Sequence, residues 1–319
     1  MHMADALISP AVGGTLWVVT AGLMAWCARK VKQTRDDRLI PMMGVLGAFI
    51  FTAQMLNFSI PVTGSSGHLG GGLILAVLLG PYAAFLVMAS VLTVQALFFA
   101  DGGLLALGCN IFNLGFFPVF MAYPLIYKFI AGKERASTRA TVAALAAGII
   151  GLQLGALGVV LETGMSGISE LPFKAFVLVM QPIHLAIGIV EGLATAAVVA
   201  FVARARPEVL QVDADLRAAS APAGGMKCTD RARRSRSTMG LLFAATILGG
   251  MASWFASTRP DGLEWSIAKV TGKAVAESGS WPEVSASTSS AGLLGGLLTL
   301  GLIILFGFAL KRYRKGVLS

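Results

Sequence analysis

The first two residues, Met1 and His2, offer three nitrogen donors to a single metal ion. The terminal amine and the next backbone amide would close a five-membered chelate ring, and that amide with Nδ1 of His2 would close a six-membered ring. Because histidine at position 2 is bulky, we expect Met1 to be retained with a free amine. His68 is predicted to lie on the same side of the protein and to supply a fourth nitrogen.

A planar set of four nitrogens indicates which metals such a site prefers. It suits Ni(II) or Cu(II), and Co(II) less strictly, but not tetrahedral Zn(II). The metal must displace protons from its ligands, so we expect the affinity to fall at acid pH. Asp5 is a candidate to hydrogen-bond to one of the ligands. Either histidine alone would more often be an ordinary loop or surface residue, whereas the pair favours a metal site.

A second pair of ionisable residues, His184 and Glu191, is seven residues apart on one predicted helix and therefore on one face of it. Ionisable groups within a membrane span are usually functional, which suggests a proton or ion relay in a proton-coupled secondary metal carrier. The alternative is a hydrogen bond between helices, with Gln153 or Gln181 as partner. We favour the hydrogen bond.

The composition places these residues in a membrane protein. Of the 319 residues, 56% are hydrophobic and 13% are charged, whereas a soluble domain carries about 25% charged residues. A soluble domain and a disordered chain are therefore excluded. The three cysteines form no CxxC pair, which argues against a disulfide framework and a cysteine zinc site. The net charge of +9 is gathered in short clusters beside apolar runs, so a lipid bilayer is predicted as the partner and nucleic acid is not.

Nine apolar runs predict an all-α fold, a polytopic membrane helix bundle of about nine spans. Basic clusters follow the first, fifth, seventh and ninth runs, and another precedes the eighth. The positive-inside rule then places the N-terminus outside, and it requires a turn at Gly80 and Pro81. No basic segment precedes the first run, so we expect no cleaved signal peptide. The protein is predicted to lie in the cell inner (cytoplasmic) membrane, multi-pass, with runs at Gly13–Ala28, Leu39–Asn57, Leu69–Leu79, Tyr82–Ala100, Leu104–Phe129, Ala140–Leu161, Ala175–Val202, Met239–Phe255 and Ala291–Leu310.

The chain divides into two predicted membrane modules. Residues 204–237 are charged and rich in Ala, Ser and Pro, which is typical of a flexible cytoplasmic linker. A metal-binding seven-span module (1–203) precedes this linker, and a two-span accessory module (238–319) follows it with an external loop at 256–290. Within that loop Leu263, Ile267, Val270 and Ala274 predict a short amphipathic helix.

Three segments resemble a known family. The opening MHMADALISP resembles the MHIxDGxLsP start of the NikM/CbiM proteins, and residues 64–72, GSSGHLGGG, resemble their GTSGHLxGG motif. These proteins are substrate-binding (S) subunits of energy-coupling-factor (ECF) transporters for nickel and cobalt. Residues 260–264 read PDGLE, as in the NikN-like accessory subunit of nickel forms. The resemblance covers nearly the whole chain, as a fusion of both subunits, with Ala4 and Ala6 departing from the opening motif.

The resemblance implies a transported Ni(II) or Co(II) ion bound by Met1, His2 and His68, with the PDGLE motif favouring nickel. It also implies a transmembrane coupling (T) subunit and cytoplasmic ATPase subunits as partners. The chain contains no GxxxxGK[ST] segment, so ATP hydrolysis is expected from a partner. It has no HExxH or GxSxG motif either, and we expect no enzyme activity and no organic cofactor.

Overall fold

The fold is a bundle of helices of very different lengths. The computed structural model describes residues 1–34, 39–61, 63–132, 137–205, 257, 259–272 and 287–315. The two-residue strands Phe58–Ser59 (β1) and Ser66–Gly67 (β2) pair antiparallel, a small departure from the all-α prediction. The helices are α1 (Pro10–Gln33), α2 (Leu39–Gln54), α3 (Gly72–Leu79), α4 (Pro81–Phe98), α5 (Leu107–Ala131), α6 (Thr138–Ser166), α7 (Phe173–Ala205), α8 (Gly262–Thr271) and α9 (Ser287–Lys315).

Eight of the nine predicted runs coincide with a helix, and the ninth, Met239–Phe255, lies outside the described residues. Among the described residues, α1, α4, α5, α6 and α7 are long and apolar enough to cross a membrane, while α2 and the apolar part of α9 are shorter. Large apolar side chains on the outer helices are exposed, for example Val18 at 75% and Phe129 at 81%. Such a surface suits lipid contact, so this is a multi-pass membrane protein.

The predicted turn at Gly80 and Pro81 is present. Gly80 has a φ of 77°, ends α3 and precedes Pro81, the first residue of α4. Proline suits a first helical position because its missing N–H would be unpaired there anyway. All eight residues of α3 are buried, and at 1.5 Å per residue the helix is about 12 Å long. It is thus a short helix enclosed by protein, as the sequence indicates.

Helix α5 is wound more widely than an α-helix over Phe112–Tyr127, the segment that contains Pro118 and Pro124. A proline cannot donate a hydrogen bond within a helix, and wide turns of this kind are frequent at functional sites. Close packing joins the start of α5 to α1: the Thr20 hydroxyl donates to the Gly108 carbonyl at 3.0 Å. This contact fixes the end of α5 that holds the N-terminal segment.

The predicted amphipathic helix of the accessory module is α8, with Leu263 buried. Ala274, the last residue of the predicted pattern, lies outside the described residues. Asp261 caps its first turn, and Asp261 and Glu264 exchange hydrogen bonds with each other's backbone N–H groups. Helix α8 packs on α7, and α9 packs on α2 and α4. The PDGLE segment therefore lies against the bundle and not apart from it.

Candidate metal site

The N-terminal segment runs into the bundle and is held by its backbone. Asn110 of α5 accepts from the Met3 N–H at 2.8 Å and donates to the Met3 carbonyl at 3.2 Å. Gly103 N–H donates to the same carbonyl at 2.9 Å. The carboxylate of Asp5 accepts from the Ala106 N–H at 3.0 Å, so it anchors the segment and does not contact a predicted ligand. These bonds bring Met1, which is buried, into the interior.

The loop that carries His68 is fixed from two sides. Before it, the Ser66 N–H donates to the Pro260 carbonyl at 2.8 Å. After it, the Gly70 and Gly71 N–H groups donate to the carboxylate of Glu191 at 2.8 Å and 3.0 Å. A buried acceptor of this kind orders the loop because leaving either N–H unpaired would cost free energy. The position of His68 therefore depends on α7 and on the PDGLE segment.

The terminal amine and His68 meet in the interior although 67 residues separate them. The nitrogen of Met1 lies 3.1 Å from Nε2 of His68. Nδ1 of His68 lies 3.0 Å from the Leu69 carbonyl, which can only accept, so Nδ1 carries the proton and Nε2 presents its lone pair to the amine. For metal–nitrogen bonds of about 2.0 Å, as in zinc sites, adjacent donors of a square stand about 2.8 Å apart and opposite donors about 4 Å. The observed distance fits adjacent donors.

The ring of His2 lies beside His68, but its Nδ1 faces Asp101. Its ring stacks on that of His68, with centroids 4.9 Å apart and planes 23° apart. Its Nδ1, which the predicted chelate would use, lies 3.3 Å from a carboxylate oxygen of Asp101. Its Nε2 is buried and has no hydrogen-bond partner in the part of the chain that the structure describes. The chelate therefore requires Nδ1 of His2 to leave Asp101.

The structure adds Asp261 to the site. Its Oδ2 lies 2.9 Å from the terminal amine, forming an ion pair across 260 residues. Its other oxygen accepts from the Glu264 N–H and so caps α8. Asp261 belongs to the PDGLE motif, which the sequence analysis identified. No rule of sequence spacing, however, indicates that this motif contacts the first residue.

The surroundings keep both histidines neutral. Burial lowers the pKa of His2 from 6.5 to about 3, and the nearby charge of the terminal amine adds to this effect. Burial, the amine and His2 lower the pKa of His68 to about 3 as well. Burial alone would raise the pKa of Asp261, but the amine, His68 and the Glu264 N–H hold it below its ordinary value. Neutral imidazoles are the form that binds metal ions.

Within the described part of the chain, no three His, Cys, Asp or Glu side chains form a cluster that could hold a metal ion. The candidate site differs from such a cluster of side chains, because two of its donors, the Met1 amine and the His2 amide, are main-chain nitrogens. The arrangement brings together Met1 and His68 directly, with His2 beside them.

His184 and Glu191 make contacts other than the predicted ones. Gln153 and Gln181 hydrogen-bond to each other's backbone carbonyls and not to His184. His184 Nδ1 lies 2.8 Å from the Met180 carbonyl of its own helix. The expected hydrogen bond between helices through His184 is therefore wrong, whereas Glu191 is a loop anchor.

Comparison with known proteins supplies independent findings. The sequence-family profile described as "Cobalt uptake substrate-specific transmembrane region" matches residues 2–209, and the PDGLE domain profile matches residues 235–284. The chain is 38% identical over 211 residues to a putative fused nickel transport protein NikMN of Archaeoglobus fulgidus, covering 66% of this chain and 68% of that protein. It is 29% identical over 218 residues to the cobalt transport protein CbiM of Geobacter sulfurreducens, covering 66% and 61%.

Two solved structures have a similar fold. A truncated transition metal transporter is 29% identical, with a TM-score of 0.57 over 64% of this chain and 99% of its own. A transition metal transporter is 28% identical, with a TM-score of 0.58 over 68% of this chain and 99% of its own.

Proposed function

Since this chain belongs to the CbiM family of cobalt-uptake transmembrane proteins and is a nickel or cobalt transport protein, we propose that it is the substrate-binding membrane subunit of an ECF-type importer. In this role it captures Ni(II), or Co(II), outside the cell. The ligands are the Met1 amine, the amide and Nδ1 of His2, and Nε2 of His68. The observation that carries the proposal is the buried 3.1 Å approach of the Met1 nitrogen to His68.

Binding the ion exchanges protons for metal. The terminal amine gives up its ammonium proton, and the amide nitrogen of His2 gives up its hydrogen. The amine goes from a charge of +1 to neutral and the amide from neutral to −1, and together these changes balance the two charges of the ion. Burial of the bound form therefore adds no net charge to the interior. Neutral His68 already presents its lone pair and requires no deprotonation. His68 is thus ready to bind before the ion arrives, whereas the ligands of the N-terminal segment must first lose protons.

The PDGLE segment supports the amine in this proposal. Asp261 accepts a hydrogen bond from the charged amine, and a metal-bound amine still carries two hydrogens, one of which can donate to the same carboxylate. The position of the amine is therefore kept before and after capture. Because fused nickel transport proteins are among the relatives, nickel is the proposed preferred ion.

The remaining steps need partners. We propose a transmembrane coupling (T) subunit and cytoplasmic ATPase subunits, with the chain in the inner membrane and its N-terminus outside. ATP hydrolysis in the partners would reorient this chain, and the ion would leave inward when the N-terminal segment withdraws from His68. The seven-span module (1–203), the linker at 204–237 and the two-span module with the loop at 256–290 remain the proposed organisation. Residues 206–237 of the linker lie outside the described part of the chain.

Nickel titration of the purified full-length chain tests the proposal. Two glycines placed before Met1 should abolish high-affinity Ni(II) binding, because the amine moves away from the chelate. The same two glycines placed after Ser319 are the matched control and should leave the affinity unchanged. Equal affinity of the two extended chains would contradict the chelate.

A further inference from the structure

All three histidines of the chain converge on one region. The 319 residues contain only three histidines. His2 and His68 stack on each other, and His184 lines the same small cavity as Met1 and His68. The other residues around this cavity are glycines and aliphatic side chains: Gly67, Gly70, Leu114, Leu152, Ile187 and Gly262. An ion that leaves the terminal chelate into this space therefore meets one further nitrogen donor.

The contacts of His184 prepare it as a ligand. The Met180 carbonyl, 2.8 Å from Nδ1, can only accept, so Nδ1 carries the hydrogen. Nε2 is buried and has no hydrogen-bond partner within the described residues, and the side chain is 1% exposed. Histidine ligands of metals characteristically donate their second ring N–H to a carbonyl or carboxylate in this way. His68 has the same arrangement through the Leu69 carbonyl.

An unpaired buried nitrogen has a free-energy cost that an ordinary structural histidine avoids. Since the hydrogen is on Nδ1, Nε2 of His184 presents a lone pair, and among the described residues nothing hydrogen-bonds to it. The PDGLE segment lies beside this imidazole: a β-carbon at Gly262 would stand 3.3 Å from Cε1 of His184. Glycine at position 262 thus leaves room beside the imidazole.

We propose that His184 is a further ligand of the transported ion, receiving it on Nε2 when the N-terminal segment withdraws. The inference rests on the proposed function, because it assumes that Ni(II) or Co(II) occupies the neighbouring chelate. His184 is 11 residues from Phe173 at the start of α7, so it lies about 16 Å along that helix at 1.5 Å per residue. His68 and His184 together would hold the ion after Met1 and His2 have left it.

Breaking the chelate isolates this second site for measurement. The probe is Ni(II) titrated into the full-length chain that carries two glycines before Met1, purified through a C-terminal tag without histidine. We expect a weaker site to remain. His184→Asn should weaken it at least about tenfold, because losing a ligand costs no less than losing one of its hydrogen-bond partners. Asparagine can still donate to the Met180 carbonyl, so the helix keeps that bond.

The matched control is Gln181→Ala in the same extended chain. Gln181 is one turn away on α7 and bonds to α6, so its loss disturbs the helix pair without touching the cavity. Three results would overturn the inference. The extended chain could bind no Ni(II) at all, its residual binding could be unchanged by His184→Asn, or Gln181→Ala could weaken that binding as much as His184→Asn does. Undiminished binding by the extended chain before any other substitution would instead overturn the proposed chelate.

Discussion

Substitutions of Glu191 can show whether this residue anchors the loop that carries His68 or relays protons. Its carboxylate accepts from the Gly70 and Gly71 N–H groups at 2.8 Å and 3.0 Å, and its side chain is 2% exposed. Oε2 also accepts from the Gly71 N–H, at 3.1 Å. In Glu191→Gln the remaining oxygen can therefore still accept from both N–H groups, but the new NH₂ group faces the Gly71 N–H, which cannot accept, and a buried donor left unpaired costs about 1–3 kcal/mol.

The expected loss of stability in Glu191→Gln is roughly 1–3 kcal/mol. At about 2–4 °C per kcal/mol, that lowers the melting temperature by roughly 2–12 °C. Thermal unfolding of the purified protein in detergent measures the change. The second variant, Glu191→Asp, keeps an ionisable group but withdraws it by about one C–C bond, 1.5 Å. It should lose stability as well, because a contact of 2.8 Å then becomes too long for a hydrogen bond.

A proton-coupled secondary carrier predicts a different pattern. Metal uptake in Glu191→Asp would then persist, uptake in Glu191→Gln would stop, and both proteins would unfold at the wild-type temperature. Uptake would also proceed without any ATPase subunit. Wild-type stability of both variants would refute the anchoring role of Glu191.

Three further predictions concern the site and the packing around it. Asp261→Asn keeps the cap of α8 but removes the charge beside the amine, so the free energy of unfolding by denaturant should fall by about 1–2 kcal/mol; no change would contradict the ion pair. His2 and His68 have pKa values lowered to about 3, so the unfolded chain binds more protons below pH 6.5. Stability should therefore fall from pH 6.5 toward 3, and replacing either histidine by alanine should flatten that profile of melting temperatures; an unaltered profile would show that neither histidine controls it. A β-carbon at Gly108 would stand 2.6 Å from the backbone of α1, whereas one at Gly14 meets nothing within 4 Å. Gly108→Ala should thus cost about 1–3 kcal/mol in the same denaturation assay, and Gly14→Ala, the control, should cost far less.

The helices were predictable from sequence because each depends on its own residues. Apolar runs of about 20 residues indicate spans, and the pair Gly80 and Pro81 is a local turn signal, so the short α3 was predicted as well. The amphipathic spacing within 263–270 likewise located α8. The two-residue strands were missed because their pairing joins two parts of one loop with no alternation pattern.

The contacts of the site were less predictable because they join distant parts of the chain. Nothing in the spacing of PDGLE shows that Asp261 meets the first amine, since 260 residues and a predicted linker intervene. His184 and Glu191 share a helix face in the sequence, but only the fold shows that one faces the cavity and the other holds the loop. Nδ1 of His2 was expected to point at the chelate, and instead it meets Asp101.

Anomalous diffraction at the nickel edge, from crystals of the full-length chain grown with Ni(II), tests the central claim most directly. The account predicts one strong peak about 2 Å, a typical metal–nitrogen bond length, from four atoms: the Met1 nitrogen, the amide nitrogen and Nδ1 of His2, and Nε2 of His68. A peak elsewhere, or a mature chain whose Met1 has been removed, would contradict it.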